Sequence, residues 1–158
     1  MSSLTFGGPD NKYLISASKD ASIKFFDWET KQEEAVLTIQ GESEYGRIAS
    51  SDSYLAVANN EKEVELYSHS GLNSDSEPIH VFDNYDTNES KFFLFAESWS
   101  RILVMGLVIH KNNNHLFICE DFSVKVYDMQ TFALVHTFEN AHDGGKSWKI
   151  ISLSQLFE

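Results

Sequence analysis

Leu14–Gly41, LISASKDASIKFFDWETKQEEAVLTIQG, is the stretch whose reading decides the fold. Two apolar runs flank the acidic turn Lys19-Asp20-Ala21-Ser22. An aromatic–acid pair, Phe26-Asp27, follows, then a polar loop, a third apolar run and Gly41. The pattern returns downstream. From Leu55, LAVANNEKEVELYS overlays LISASKDASIKFFD without a gap at an offset of 41 residues, and from Leu116, LFICEDFSVKVYD overlays it with one residue missing. Repetition at a period near 40 marks a supersecondary unit that stacks on its neighbours because it cannot bury both faces alone.

Within each unit the apolar residues alternate with polar or small ones, the period of a strand, and no window carries a capped 3.6-residue stripe. Ser3–Phe6, Tyr13–Ser18, Ile23–Asp27 and Ala35–Ile39 are the predicted strands of the first unit. Tyr45–Ser50, Tyr54–Asn59, Val64–Ser68 and Ile79–Phe82 form the second. Val104–His110, Leu116–Cys119, Ser123–Asp128 and Leu134–Phe138 form the third. The Gly7–Lys12 segment (GGPDNK) is a turn by composition, and the polar connection His69–Pro78 reads as an exposed loop. Lys91–Ala96 and Trp148–Ser154 read as further strands.

Composition sets limits on function. The chain has 158 residues, 42% hydrophobic and 13% aromatic with 12 Phe, enough for a packed β core. Twelve Lys and Arg against 24 Asp and Glu give a net charge of −12, which disfavours unaided binding to nucleic acid or anionic lipid. One cysteine, Cys119, leaves no internal disulfide and no CxxC metal site. The start MSSLTFGG has no basic leader or apolar signal core, and the apolar run Ile102–Ile109 is too short to span a bilayer. A cytoplasmic or nuclear location is the expectation.

The punctuation of the units resembles the WD-repeat family of β-propellers. The family's Trp-Asp place is held here by Phe26-Asp27, Tyr67-Ser68 and Tyr127-Asp128, and the acid of the turn before the third strand by Asp20, Glu61 and Asp121. The Gly-His place survives by halves, as Gly41 without His and His142 without Gly. The resemblance implies an all-β fold of about three four-stranded antiparallel blades. Blade 1 spans about 3–40, blade 2 about 44–82, blade 3 about 104–139, with an insertion at 83–103 and an extra strand at 147–154. It implies that an aromatic at the end of each third strand fills the gap between neighbouring sheets. It also implies that Asp20, with Ser16 or Ser18, builds part of a hydrogen-bonded turn, looser than in the family because the His is missing. Propellers take four to eight blades, so three make an open arc with two uncovered end sheets.

No catalytic constellation is present: there is no P-loop, GxSxG elbow or GxGxxG after a strand. Cys119 reads as a buried thiol, and His110 with His115 lacks a third metal ligand at a convincing spacing. His80 and His136 recur at one place in their units and read as structure. No cofactor and no metal are expected. In the resembled fold the turns before the third strands and the loops between blades share one rim. That rim receives Lys19, Asp20, Glu42, Glu44, Tyr45, Asn60, Glu61, Tyr85, Glu120, Asp121 and His142. It is mostly acidic, with Tyr45 and Tyr85 as aromatic anchors of the kind that dominate interfaces. The expected function is a non-catalytic protein-interaction scaffold acting through rim loops and open blade edges, its partners basic peptides or basic subunits. An architectural subunit whose propeller another chain completes is the alternative, in either case as an oligomer or part of a larger complex. A small enzyme or metal-binding protein is the remote one.

Overall fold

In the computed structural model the described residues are 3–31, 33–61, 63–83, 106–110, 114–119, 123–139 and 141. They form three four-stranded antiparallel sheets, each a meander of sequential neighbours. Sheet 1 contains β1 (Ser3–Gly7), β2 (Tyr13–Ala17), β3 (Ser22–Asp27) and β4 (Leu37–Gln40). Sheet 2 contains β5 (Tyr45–Ser50), β6 (Tyr54–Asn59), β7 (Glu63–Ser68) and β8 (His80–Asp83). Sheet 3 contains β9 (Gly106–Ile109), β10 (His115–Cys119), β11 (Val124–Asp128) and β12 (Leu134–Phe138). The turn between β1 and β2 tightens into a single 3₁₀ turn at Pro9–Asn11, where proline fixes the first φ. The strands Lys91–Ala96 and Trp148–Ser154, most of the 83–103 insertion and the 147–154 segment lie outside the described residues.

Two apolar layers hold the sheets face to face. The first joins Ile15, Ala17, Ile23, Phe25 and Ile39 of sheet 1 to Ile48, Leu55, Val57 and Tyr67 of sheet 2. The second joins Ala56, Ala58, Val64, Leu66 and Phe82 of sheet 2 to Leu107, Ile109, Leu116 and Ile118 of sheet 3. Strand β6 explains the arrangement. In LAVA the large residues Leu55 and Val57 face sheet 1, while Ala56 and Ala58 face sheet 3 and leave room for its leucines and isoleucines. All four are at most 2% exposed, as a strand covered on both faces requires.

The first strands of neighbouring sheets approach closely. Gly8 N–H donates to the Ser51 carbonyl at 3.2 Å, tying the end of sheet 1 to sheet 2. At Gly7 a Cβ would overlap the Ser50 hydroxyl, so only glycine allows β1 this close to β5.

Candidate functional site

The rim begins with the turns. In sheet 1, Asp20 Oδ1 accepts the Ser22 hydroxyl at 2.6 Å and the Ser22 N–H at 3.1 Å, while Asp20 N–H donates to Ser18 Oγ at 3.4 Å. Those bonds, Ser22 first, hold the Asp20 carboxyl below its ordinary pKa. The expected pairing with Ser18 is present, but the second partner is Ser22 and not Ser16. Ser22 follows the turn and meets the carboxylate directly, whereas Ser16 lies opposite Lys24 across the sheet.

Sheet 2 solves the same turn differently. Glu61, which takes the acid's place in the repeat register, does not organise it. Asn59 Oδ1 accepts the N–H groups of Glu61 and Glu63 at 3.0 and 3.1 Å, and Glu61 instead accepts the Ser43 hydroxyl at 2.7 Å. A side chain two residues earlier reaches the same backbone donors, so the turn survives with its organising residue moved.

The linker between sheets 1 and 2 lies against both turns. Gly41 N–H donates to the Ala21 carbonyl at 2.8 Å, Tyr45 N–H to Ser18 at 3.0 Å, and Asn60 N–H to Glu44 at 2.9 Å. Lys19, Asp20, Glu42, Glu44, Asn60 and Glu61 are thereby brought to one exposed edge. Tyr85, Glu120, Asp121 and His142 lie outside the described residues.

Tyr45 is not an exposed anchor. It is 1% exposed in β5, and its hydroxyl donates to Glu65 Oε2 at 2.8 Å. Tyr67, 3% exposed, donates to the same oxygen at 2.7 Å, and Asn59 Nδ2 donates to Glu65 Oε1 at 3.1 Å. Burial, ahead of the neighbouring carboxylate, pushes both phenol pKa values up. Gly41 makes the arrangement possible, since a Cβ there would overlap the Tyr45 hydroxyl. The network lies between the sheets where the first unit's Gly41 has no histidine after it. Glu65 sits at the repeat position of Lys24, so register alone carried no sign of it.

At the opposite end the third strands terminate in a repeated turn. Asp27 Oδ1 accepts the N–H groups of Glu29 and Thr30 at 3.1 and 3.2 Å. Asp128 Oδ1 accepts those of Gln130 and Thr131 at 3.0 and 2.7 Å. Ser68 Oγ accepts from Ser70 N–H at 3.2 Å, the same geometry with a shorter side chain. In the pairs Phe26-Asp27, Tyr67-Ser68 and Tyr127-Asp128 the acceptor closes the following turn, and in the last two the aromatic also faces the preceding sheet. The aromatics are not equally buried. Tyr67 fills the gap to sheet 1 and Tyr127 packs against Phe82 with centroids 4.8 Å apart, but Phe26 is half-exposed on the outer face of sheet 1.

Among the described residues, no group of three His, Cys, Asp or Glu is gathered for a metal, and no helix is long and apolar enough to cross a membrane. His110 and His115 lie with ring centroids 6.5 Å apart. His80 stacks on Phe132 at 4.2 Å, a packing contact between sheets 2 and 3. Cys119 is half-buried, and burial raises its thiol pKa.

Three meandering sheets packed face to face around neighbouring first strands, with acceptors closing the turn after each third strand, have the fold of three β-propeller blades. Among solved structures, the chain is similar to that described as "Crystal structure of RRP9 WD40 repeats", with a TM-score of 0.66 and 21% identity. The match covers 90% of this chain and 39% of that one, so this chain spans well under half its length. No family model and no curated protein matches the chain.

Proposed function

We propose that the protein is a non-catalytic interaction scaffold whose acidic rim between blades 1 and 2 receives a basic segment of another protein. One observation carries the reading: the convergence of Glu42, Glu44 and Glu61 on one exposed edge, held there by backbone bonds from Asn60 and Gly41 and by the Ser43 hydroxyl. A fixed backbone removes the loop-ordering part of the binding cost and leaves that of the side chains. Like charges held close give a local negative potential that favours a cationic partner and is screened by salt. Lys19 at the margin sets one boundary of the acidic stretch. Likeness to WD40 repeats supports an interaction role in general, since that architecture commonly joins proteins.

The test is fluorescence anisotropy with a labelled Lys/Arg-rich peptide against the chain and the triple variant E42K/E44K/E61K. Saturable, salt-sensitive binding by the parent and at least tenfold weaker binding by the variant are expected. Equal affinity for both would sink the rim proposal. A second reading, an architectural subunit whose ring other sheets complete, is favoured by the uncovered outer face of blade 1, where Leu4 and Phe6 are 49% and 53% exposed.

A further inference from the structure

The connection His69–Pro78 joins β7 to β8 at the end of the blades opposite the acidic rim. Its base is fixed. Leu72 packs against the apolar layer between blades 1 and 2, His69 N–H donates to the Ser53 carbonyl at 2.9 Å, and Ile79 N–H donates to the Leu66 carbonyl at 2.7 Å. Its tip is a tight turn centred on Ser74 and Asp75. Ser76 N–H donates to the Asn73 carbonyl at 3.2 Å, Asn73 N–H to Ser76 Oγ at 2.9 Å and Asp75 N–H to Asn73 Oδ1 at 2.9 Å. Ser74, Asp75 and Glu77 are exposed, and the Ser74 hydroxyl has no hydrogen-bond partner among the described residues.

The charge around that hydroxyl is one-sided. Asp75 follows it directly, Glu77 stands three residues on, and no Lys or Arg occurs from Glu63 to Asp83. Protein kinases choose among similar hydroxyls by charge pattern, and this pattern suits one with a basic substrate groove. By sequence alone Thr30, Ser43, Ser51 and Ser76 compete, since each has an acid one or three residues on. The structure separates them from Ser74, because each of their hydroxyls is engaged. Thr30 donates to the Asp27 carbonyl at 3.0 Å, Ser43 to Glu61 at 2.7 Å and Ser51 to the Tyr54 carbonyl at 3.4 Å. Ser76 is half-buried and accepts the Asn73 N–H.

We infer that Ser74 is a phosphorylation site for an acid-directed serine kinase. The Ser74 oxygen attacks the γ-phosphorus of a nucleoside triphosphate, the bond from that phosphorus to the β–γ bridging oxygen breaks, and the nucleoside diphosphate leaves. The hydroxyl proton passes to the catalytic aspartate of the kinase. A kinase groove takes its substrate extended, and only the exposed turn bonds of the tip resist that change. The anchor at Leu72 and the sheets stay in place while the tip opens. The product adds about two negative charges beside Asp75 and Glu77, an anionic tip of the kind that arginine clusters on other proteins recognise. The site is independent of the acidic rim and of the scaffold reading.

The test incubates the full chain with magnesium, ATP and a purified casein-type, acid-directed serine kinase, beside a base-directed kinase as control. Tandem mass spectrometry locates the phosphate and intact mass follows its rate of entry. Phosphate on Ser74 from the acid-directed kinase alone is expected. Ser74→Ala should remove it, and the double variant D75N/E77Q should take it up at least about tenfold more slowly. The free peptide of residues 68–82 measures what the fold costs, and the folded chain should react within about tenfold of it. No phosphate on Ser74, earlier entry at Ser43, Ser51 or Ser76, or a rate indifferent to Asp75 and Glu77 overturns the inference. A folded chain that reacts more than about a hundredfold more slowly than the peptide overturns it as well, because the tip would then be closed to a kinase.

Discussion

Replacing Glu65 with alanine exposes how the interface between blades 1 and 2 is held. Its carboxylate accepts two phenol hydroxyls, at 2.8 Å from Tyr45 and 2.7 Å from Tyr67. Those tyrosines are 1% and 3% exposed, so water does not readily replace the lost acceptor. A buried polar group left without its partner costs about 1–3 kcal/mol, and because the two phenol hydroxyls also bond to each other, Glu65→Ala is expected to cost about 1–3 kcal/mol. The Asn59 amide retains its bond to Glu63 at 2.9 Å and adds little. Removing the orphaned hydroxyls should then restore stability, because an apolar replacement of both partners is close to neutral. The triple variant Y45F/E65A/Y67F is expected to recover about half or more of the loss. Urea denaturation monitored by circular dichroism supplies the free energies, and the cycle of single, double and triple variants separates the coupling from each residue's packing. A loss below about 1 kcal/mol for E65A, or a triple variant less stable than E65A, would refute the reasoning.

Gly41→Ala should destabilise by about 1–3 kcal/mol, the usual cost of overpacking, because the new Cβ overlaps the Tyr45 hydroxyl; Tyr45→Phe in the same chain should relieve part of this in the same urea titration. His69 is held below its ordinary pKa of 6.5, first by burial, and its Nε2 lies 2.9 Å from Ser50 Oγ. The unfolded chain therefore takes up the proton first, so stability is fully present above pH 6.5, falls as pH drops below it, and levels off once the folded-state value is passed. Urea midpoints from pH 8 to 5 should show this fall in the parent and a smaller one in His69→Gln; identical pH profiles would remove His69 from the account. Asp128→Ala should accelerate amide exchange at Gln130 and Thr131, whose N–H groups it accepts, while leaving exchange in β10 unchanged.

The strands were legible because a strand covered on one face or both writes its period locally. Tyr45–Ser50, Tyr54–Asn59 and Leu134–Phe138 coincide with β5, β6 and β12, and the other described strands lie within one or two residues of the sequence boundaries. The turn residues were partly legible. Asp20, Asp27 and Asp128 act on backbone within three residues, so their chemistry follows from sequence neighbours. Glu61 defeated the register because Asn59, two residues before it, reaches the same N–H groups.

The amino-acid sequence by itself determined the all-β repeat, the antiparallel order of its strands and the net negative charge of the chain, since alternation, turn chemistry and charge are properties of adjacent residues. Only the tertiary structure decided that Tyr45 is an interior hydroxyl bound to Glu65 and not a surface anchor, because that depends on Gly41, four residues away, leaving space, and on a carboxylate twenty residues distant. It also decided that Phe26 and Tyr67, equivalent in the repeat, differ in fate. One faces an open groove and the other a neighbouring sheet, and the burial of a side chain is set by what stands opposite it in space.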